Sequence, residues 1–253
     1  MRPELPDRPA ARHALRSAPS RRHAAFAAIL CWAGFALCAW LVVTDRTGGF
    51  DRWGLLSYRT ADTLSFGGPE RVFEMVRDVT ALGGILLRNL FAAGAIAALL
   101  FMRLRREAII LGATVVTGWI ANGAMKLLFG RERPEIVPHL TEAGGGSFPS
   151  GHSFGAAVVY IAMALAFAAL AKRRAVRRTI LLCAALVSAG VAWSRVLLGV
   201  HYPSDVVAGW LAGAGWALMA YAIFDRSAAA LDQKVSHVPA GNFAEKRSPT
   251  RGS

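Results

Sequence analysis

The chain has 253 residues, 55% of them hydrophobic, and a formal net charge of +13 at pH 7. Its mean hydropathy of +0.40 is too high for a soluble domain of this length, which makes a lipid bilayer the expected solvent. The basic excess sits in a few short segments between apolar runs, a distribution that argues against a nucleic-acid surface.

Residues 1–23 are rich in Arg, Pro and Ala and read as a basic tail. The first apolar run, 24–43, is long for the core of a cleaved signal, and Cys38, Ala39 and Trp40 make a poor small-residue cleavage site. A retained anchor is therefore expected. Between residues 45 and 81, charged side chains mix with Trp53, Leu55, Leu56, Phe66, Phe73 and Val76, the composition of one or two interfacial helices. Five more apolar runs follow, at 82–102, 108–128, 153–171, 179–193 and 206–224. A helix needs about 20 mostly apolar residues to cross ~30 Å of hydrocarbon, and only the run at 179–193 falls clearly short, though it can extend toward Val200. Small residues such as Ala92, Ala93, Gly94, Gly209, Ala212 and Gly213 permit close helix packing in lipid. Residues 226–253 are polar and read as a second tail. The expected fold is all-α: a polytopic membrane protein whose six-transmembrane-helix bundle occupies residues 24–225, with short interfacial helices between spans one and two.

Arg103, Arg105 and Arg106 lie between spans two and three, and Lys172, Arg173, Arg174, Arg177 and Arg178 between spans four and five. With the arginines of residues 1–23 they share one side of a six-pass layout. By the positive-inside rule that side is cytoplasmic and holds both termini. Cys31, Cys38 and Cys183 fall inside apolar runs with no CxxC spacing, and read as packing residues.

The polar residues that do not suit a lipid-facing role gather in three segments, all on the opposite, outer side. These are KLLFGRERP (126–134), PSGH (149–152) and SRVLLGVHYPSD (194–205). They resemble the signature of the type 2 phosphatidic acid phosphatase superfamily, the membrane lipid phosphatases related to vanadium haloperoxidases. The pattern KxxxxxxRP, PSGH, SRxxxxxHxxxD is matched in order, identity and spacing over residues 126–205. The resemblance implies an integral membrane enzyme that hydrolyses lipid phosphates or diphosphates without a metal or other cofactor. Its site would face the periplasmic or extracellular side, and its partners would be the lipid phosphate substrate and the bilayer, with no nucleic acid.

The residue types suit phosphoryl transfer, in which positioning and electrostatics dominate. Arg133 and Arg195 can each grip two phosphate oxygens, and Lys126 adds a point charge. Ser150 and Gly151 add donors where a helix N-terminus favours an anion. His201 is the candidate nucleophile, forming a phosphohistidine, with Asp205 accepting the proton on its other nitrogen. His152 would protonate the leaving oxygen and then activate water. Arg131 is expected as either a substrate contact or a headgroup anchor. The Gly144, Gly145, Gly146 run is expected to give slack to the loop carrying PSGH.

Zinc ligation by His152, His201 and Asp205 is the sharper alternative, opposed by the like charge of Lys126, Arg133 and Arg195. A phosphotransferase of the same superfamily would share the intermediate. A non-enzymatic lipid-phosphate binding or transport protein would keep the cradle but not the chemistry.

Overall fold

Backbone polar groups that enter hydrocarbon have to be satisfied within the chain. The computed structural model describes residues 21–236, and these meet that demand with eight helices and no strand beyond a single bridge between Arg59 and Phe66. In chain order they are α1 (Arg21–Val43), α2 (Gly48–Leu56), α3 (Glu70–Ala81), α4 (Ile85–Phe101), α5 (Arg105–Phe129), α6 (Gly151–Ala168), α7 (Arg174–Leu197) and α8 (Pro203–Ser236). Five of them, α1, α5, α6, α7 and α8 as far as Phe224, are long and apolar enough to cross a membrane. The tails expected at 1–23 and 226–253 lie outside the described residues, apart from the parts taken up by α1 and α8.

The second expected span differs from a straight helix. It is α4, and it passes the length test only together with α3, from which it is bent by 51°. The break falls at Gly83 and Gly84. A Cβ on Gly83 would lie 2.2 Å from Val191 Cγ1 and 3.2 Å from His152 Cδ2, so only glycine lets the chain pass this close to α7 and to the start of α6. The segment expected to be interfacial forms two helices, α2 and α3. The fifth span is longer at both ends than its apolar run, and its last turn carries Arg195.

Helix α6 is the centre of the bundle, with most of its residues buried against α5, α7 and α8. The contact with α8 is backbone to backbone: a Cβ on Gly213 would lie 2.3 Å from the Phe154 carbonyl oxygen, and one on Gly209 2.7 Å from that of Ser150. Small residues on α8 therefore let its first turns sit directly against the N-terminus of α6. The outward faces carry Ile85, Leu86, Phe101, Ile109, Ile120, Leu127, Leu182 and Leu186, all largely exposed, a surface suited to lipid rather than water.

Candidate active site

Each of the three polar segments sits at a helix terminus, and the helix ends bring them together. Helix α5 stops at Gly130, whose φ of +56° gives the left-handed cap that turns the chain. Lys126 stays in the last turn, while Arg131 and Arg133 enter the loop beyond. Ser150 is the N-cap of α6, its hydroxyl accepting from the Ser153 amide at 3.5 Å. The Ser150 amide donates to the Asp205 carbonyl at 3.1 Å, tying the start of α6 to the first turn of α8. That leaves the first-turn amides of Gly151 and His152 for an anion. A Cβ on Gly151 would meet Lys126 Cε at 3.4 Å, so the lysine stem runs along this turn.

His201 lies just before α8 and is 2% exposed. Arg133 Nη1 is 3.1 Å from its Nε2. Guanidinium nitrogens only donate, so Nε2 is the acceptor and the proton resides on Nδ1. On that side Asp205 Oδ2 is 3.6 Å from Nδ1, and the Ser147 hydroxyl links the two from the side. Ser147 Oγ is 3.3 Å from Nδ1 and donates to Oδ2 at 2.5 Å. The relay is Nδ1–H to Ser147 to Asp205, and the Tyr202 amide gives Oδ2 a further donor at 3.0 Å. His152, partly buried, lies two residues past Ser150, whose amide is bonded to the Asp205 carbonyl, so the start of α6 carries it to the same end of the bundle as His201.

The basic residues are held in three ways. Arg133 donates from Nε to Gly145 O, from Nη2 to Gly144 O and from Nη1 to Val200 O. Lys126 Nζ donates to Gly146 O at 2.5 Å. The glycine run expected to give slack also supplies three carbonyls that aim two cations. Arg195, 3% exposed, donates from Nη1 to Thr80 Oγ1 at 2.9 Å, and its buried Nε has no partner among the described residues.

Arg131 is held by two carboxylates. Nη1 donates to Asp205 Oδ1 at 2.6 Å and to Ser204 Oγ at 2.8 Å, Nη2 donates to Asp51 Oδ2 at 2.8 Å, and the guanidinium lies 4.2 Å over the Tyr202 ring. Burial disfavours its charge, but the Asp205 and Asp51 carboxylates outweigh that and raise its pKa. Its place is behind the histidine, bracing Asp205.

Burial pushes the His201 imidazole down to about 4, against the opposing pull of the Asp205 carboxylate. The ring is therefore neutral at physiological pH, with an unprotonated Nε2 that accepts from Arg133. Nitrogen-15 NMR of the detergent-solubilised protein should find the Nδ1–H tautomer of His201 intact at pH 5.5, where a free imidazole of pKa ~6.5 is about nine-tenths protonated. An imidazolium signature at that pH would contradict this state. Because the folded value lies below the unfolded ~6.5, protons favour the unfolded chain through this window, and stability should decline as pH falls from ~6.5 toward 4.

Asp51, Thr80 and Ser147 were not anticipated as site residues. Asp51 carried a readable signal: with Gly54 and Leu55 it forms the buried face of α2, and a carboxylate on a buried face needs a partner. Thr80 and Ser147 carried none. Among the described residues no three His, Cys, Asp or Glu side chains are grouped to hold a metal.

Comparison with known proteins agrees with this architecture. The sequence profile of the PAP2 superfamily matches residues 106–229. Phosphatidylglycerophosphatase B of Bacillus subtilis is 32% identical over 148 residues, covering 55% of this chain and 69% of the relative. A lipid A 1-phosphatase of Rhizobium johnstonii is 33% identical over 121 residues, 44% of this chain and 45% of the relative. The putative undecaprenyl-diphosphatase YbjG of Escherichia coli is 37% identical over 110 residues, covering 42% and 49%. The match thus spans less than half the length of the lipid A 1-phosphatase. The crystal structure of the transmembrane PAP2 type phosphatidylglycerolphosphate phosphatase from Bacillus subtilis superposes with a TM-score of 0.68 at 22% identity, over 85% of this chain and all of that one, which shows the shared fold.

Proposed function

The chain belongs to the PAP2 superfamily, and on that premise we propose that it is an integral membrane phosphatase that removes the terminal phosphate of a lipid phosphate or diphosphate. The observation that carries the reading is Arg133 donating to His201 Nε2, because it fixes a buried imidazole with its lone pair turned toward a cation able to hold a phosphate oxygen. The phosphatase unit is residues 24–225.

In the proposed reaction His201 Nε2 attacks phosphorus, the N–P bond forms and the bond to the leaving oxygen breaks, with His152 supplying the proton. Arg133 moves its Nη1 from Nε2 to a phosphate oxygen. Lys126, the free Nε of Arg195, the Ser150 hydroxyl and the Gly151 amide hold the remaining oxygens. Asp205, acting through Ser147, stabilises the ring as it gains positive charge. His152 then takes a proton from water, which attacks phosphorus, releases phosphate and restores His201. Arg131 is a positioning residue for Asp205 and makes no substrate contact. No step calls for a metal.

The site faces the periplasmic or extracellular side and both termini face the cytoplasm, a reading supported by the arginine-rich segments at the opposite ends of the spans. The lipid chain stays in the bilayer while the headgroup enters from the side. The test is purified protein in detergent with undecaprenyl diphosphate, phosphatidylglycerol phosphate and phosphatidic acid, each with and without chelator, scored for free phosphate. Release from at least one lipid, unaffected by chelator and faster than from a soluble ester such as p-nitrophenyl phosphate, is the expected result. Absence of release from all three would end the proposal, and loss in chelator would end its metal-free form.

A further inference from the structure

Between α4, α5 and α6 lies a cavity of about 270 Å³ whose polar lining is Arg88, Asn89 and Asn122, with Trp119, Gly151 and Gly155 among the other walls. Arg88 is 8% exposed in the middle of an apolar run. Its guanidinium lies over α6 at Gly155, where a Cβ would fall 1.8 Å from Nη1, so the helix is bare at the point the guanidinium occupies. Nη1 makes one long contact, 3.5 Å, to the Gly83 carbonyl. Nε has no partner, and among the described residues no carboxylate forms an ion pair with Arg88. The side-chain carbonyls of Asn89 and Asn122 are buried without partners too. A cation buried in a membrane bundle without a carboxylate partner calls for an anion from outside the chain. The two amides, whose ends can exchange by a flip, bring donors to the same space.

The cavity's position says which anion. Attack by His201 expels the leaving oxygen on the opposite side of phosphorus, toward His152. The next residue wall is Gly151, shared between the phosphate cradle and the cavity, and Arg88 is within electrostatic range of His152. Asn122 is one helical turn before Lys126 on α5, so the two line one face, with Lys126 toward the cradle and Asn122 on the cavity wall. We infer that the cavity is a leaving-group subsite and that Arg88, Asn122 and Asn89 bind a second phosphate there, which makes the preferred substrate a lipid diphosphate rather than a lipid monophosphate. This rests on the phosphatase reading above. The bridging P–O bond breaks, the terminal phosphoryl passes to Nε2, and the lipid monophosphate leaves with the bridging oxygen, its charge held by Arg88.

The experiment compares kcat/KM for farnesyl diphosphate and farnesyl phosphate, an identical chain with and without the second phosphate. The wild-type ratio should exceed about 10. Because the phosphate leaving group is intrinsically the better one, the subsite is read from the fall in that ratio, roughly tenfold in Arg88→Met, the worth of one charge-assisted hydrogen bond, and less in Asn122→Leu. In the wild type alone, methylenediphosphonate should inhibit roughly tenfold more tightly than methylphosphonate, a readout that depends on no variant folding. A wild-type ratio near 1, or equal inhibition by the two phosphonates, would overturn the subsite. So would an unchanged ratio in Arg88→Met, the outcome expected if Arg88 held the headgroup of a resident phospholipid. If the wild type released phosphate from neither farnesyl ester nor from any lipid tested, the phosphatase reading itself would fall.

Discussion

His201→Ala is expected to lower kcat by roughly 10⁴-fold or more, the scale of losing a covalent nucleophile, whereas His152→Ala loses roughly 10²–10⁴ as a general acid does. The asymmetry follows from what each ring does. Without His201 no N–P bond can form and the reaction has to proceed by direct attack of water in a cradle shaped for an imidazole. Without His152 the same bond forms more slowly, because the leaving oxygen departs unprotonated. Because direct attack by water still expels an oxygen that His152 can protonate, the double variant should be slower than His201→Ala alone, but by less than the product of the two single losses. Phosphate release and incorporation of radiolabelled phosphate into protein, read as an acid-labile adduct, measure both steps. A His201→Ala enzyme that kept more than about a hundredth of wild-type turnover would show that phosphate passes straight to water, and the covalent mechanism would be lost.

How much of this could be read from the sequence depends on the range over which each signal acts. The spans were legible because transfer into hydrocarbon imposes about 20 apolar residues at a stretch, a local and strong demand. The location of the site was legible because three motifs with fixed spacing each sit at a helix end. The pairing of Arg131 was not. Arg131 and Arg133 stand two residues apart with identical chemistry, and what separates them is Asp51, 80 positions earlier, carried in by α2. The bend at Gly83 was hidden for the same reason, since it needs Val191 and His152 as neighbours. Ser147 stood in plain view two residues before Pro149, but a serine in a glycine-rich loop looks the same whether or not it relays a proton. Arg88 carried a signal that went unread: a lone arginine inside ILLRNLF is an intramembrane charge, and such a residue is a functional candidate by default.

Asp51→Ala should destabilise the protein by about 3–5 kcal/mol, the usual cost of stripping one partner from a buried ion pair. Three donors lose their acceptor at once. Asp51 Oδ1 accepts from the Ser204 amide at 2.9 Å, and Oδ2 accepts from the Ser204 hydroxyl and from Arg131 Nη2, both at 2.8 Å. The carboxylate thus caps α8 from another helix, adding negative charge where the helix dipole is positive. Removing Arg131 as well would not compensate, because Arg131 also neutralises Asp205, which is fully buried and would lose its cationic partner. Asp51→Asn should fall between the two: its amide oxygen can still accept from the Ser204 backbone, but its NH₂ then meets the Arg131 donors. For a protein of this size a loss of that order lowers the melting temperature by roughly 6–20 °C, which thermal unfolding in detergent would resolve. Activity should fall with it, and part of the loss should persist at temperatures where the variant is fully folded, since an unbraced Arg131 lets Asp205 and Ser147 drift from His201. A variant that melted with the wild type would show that α2 is docked by its apolar contacts alone, and that Arg131 needs only Asp205 to hold its place.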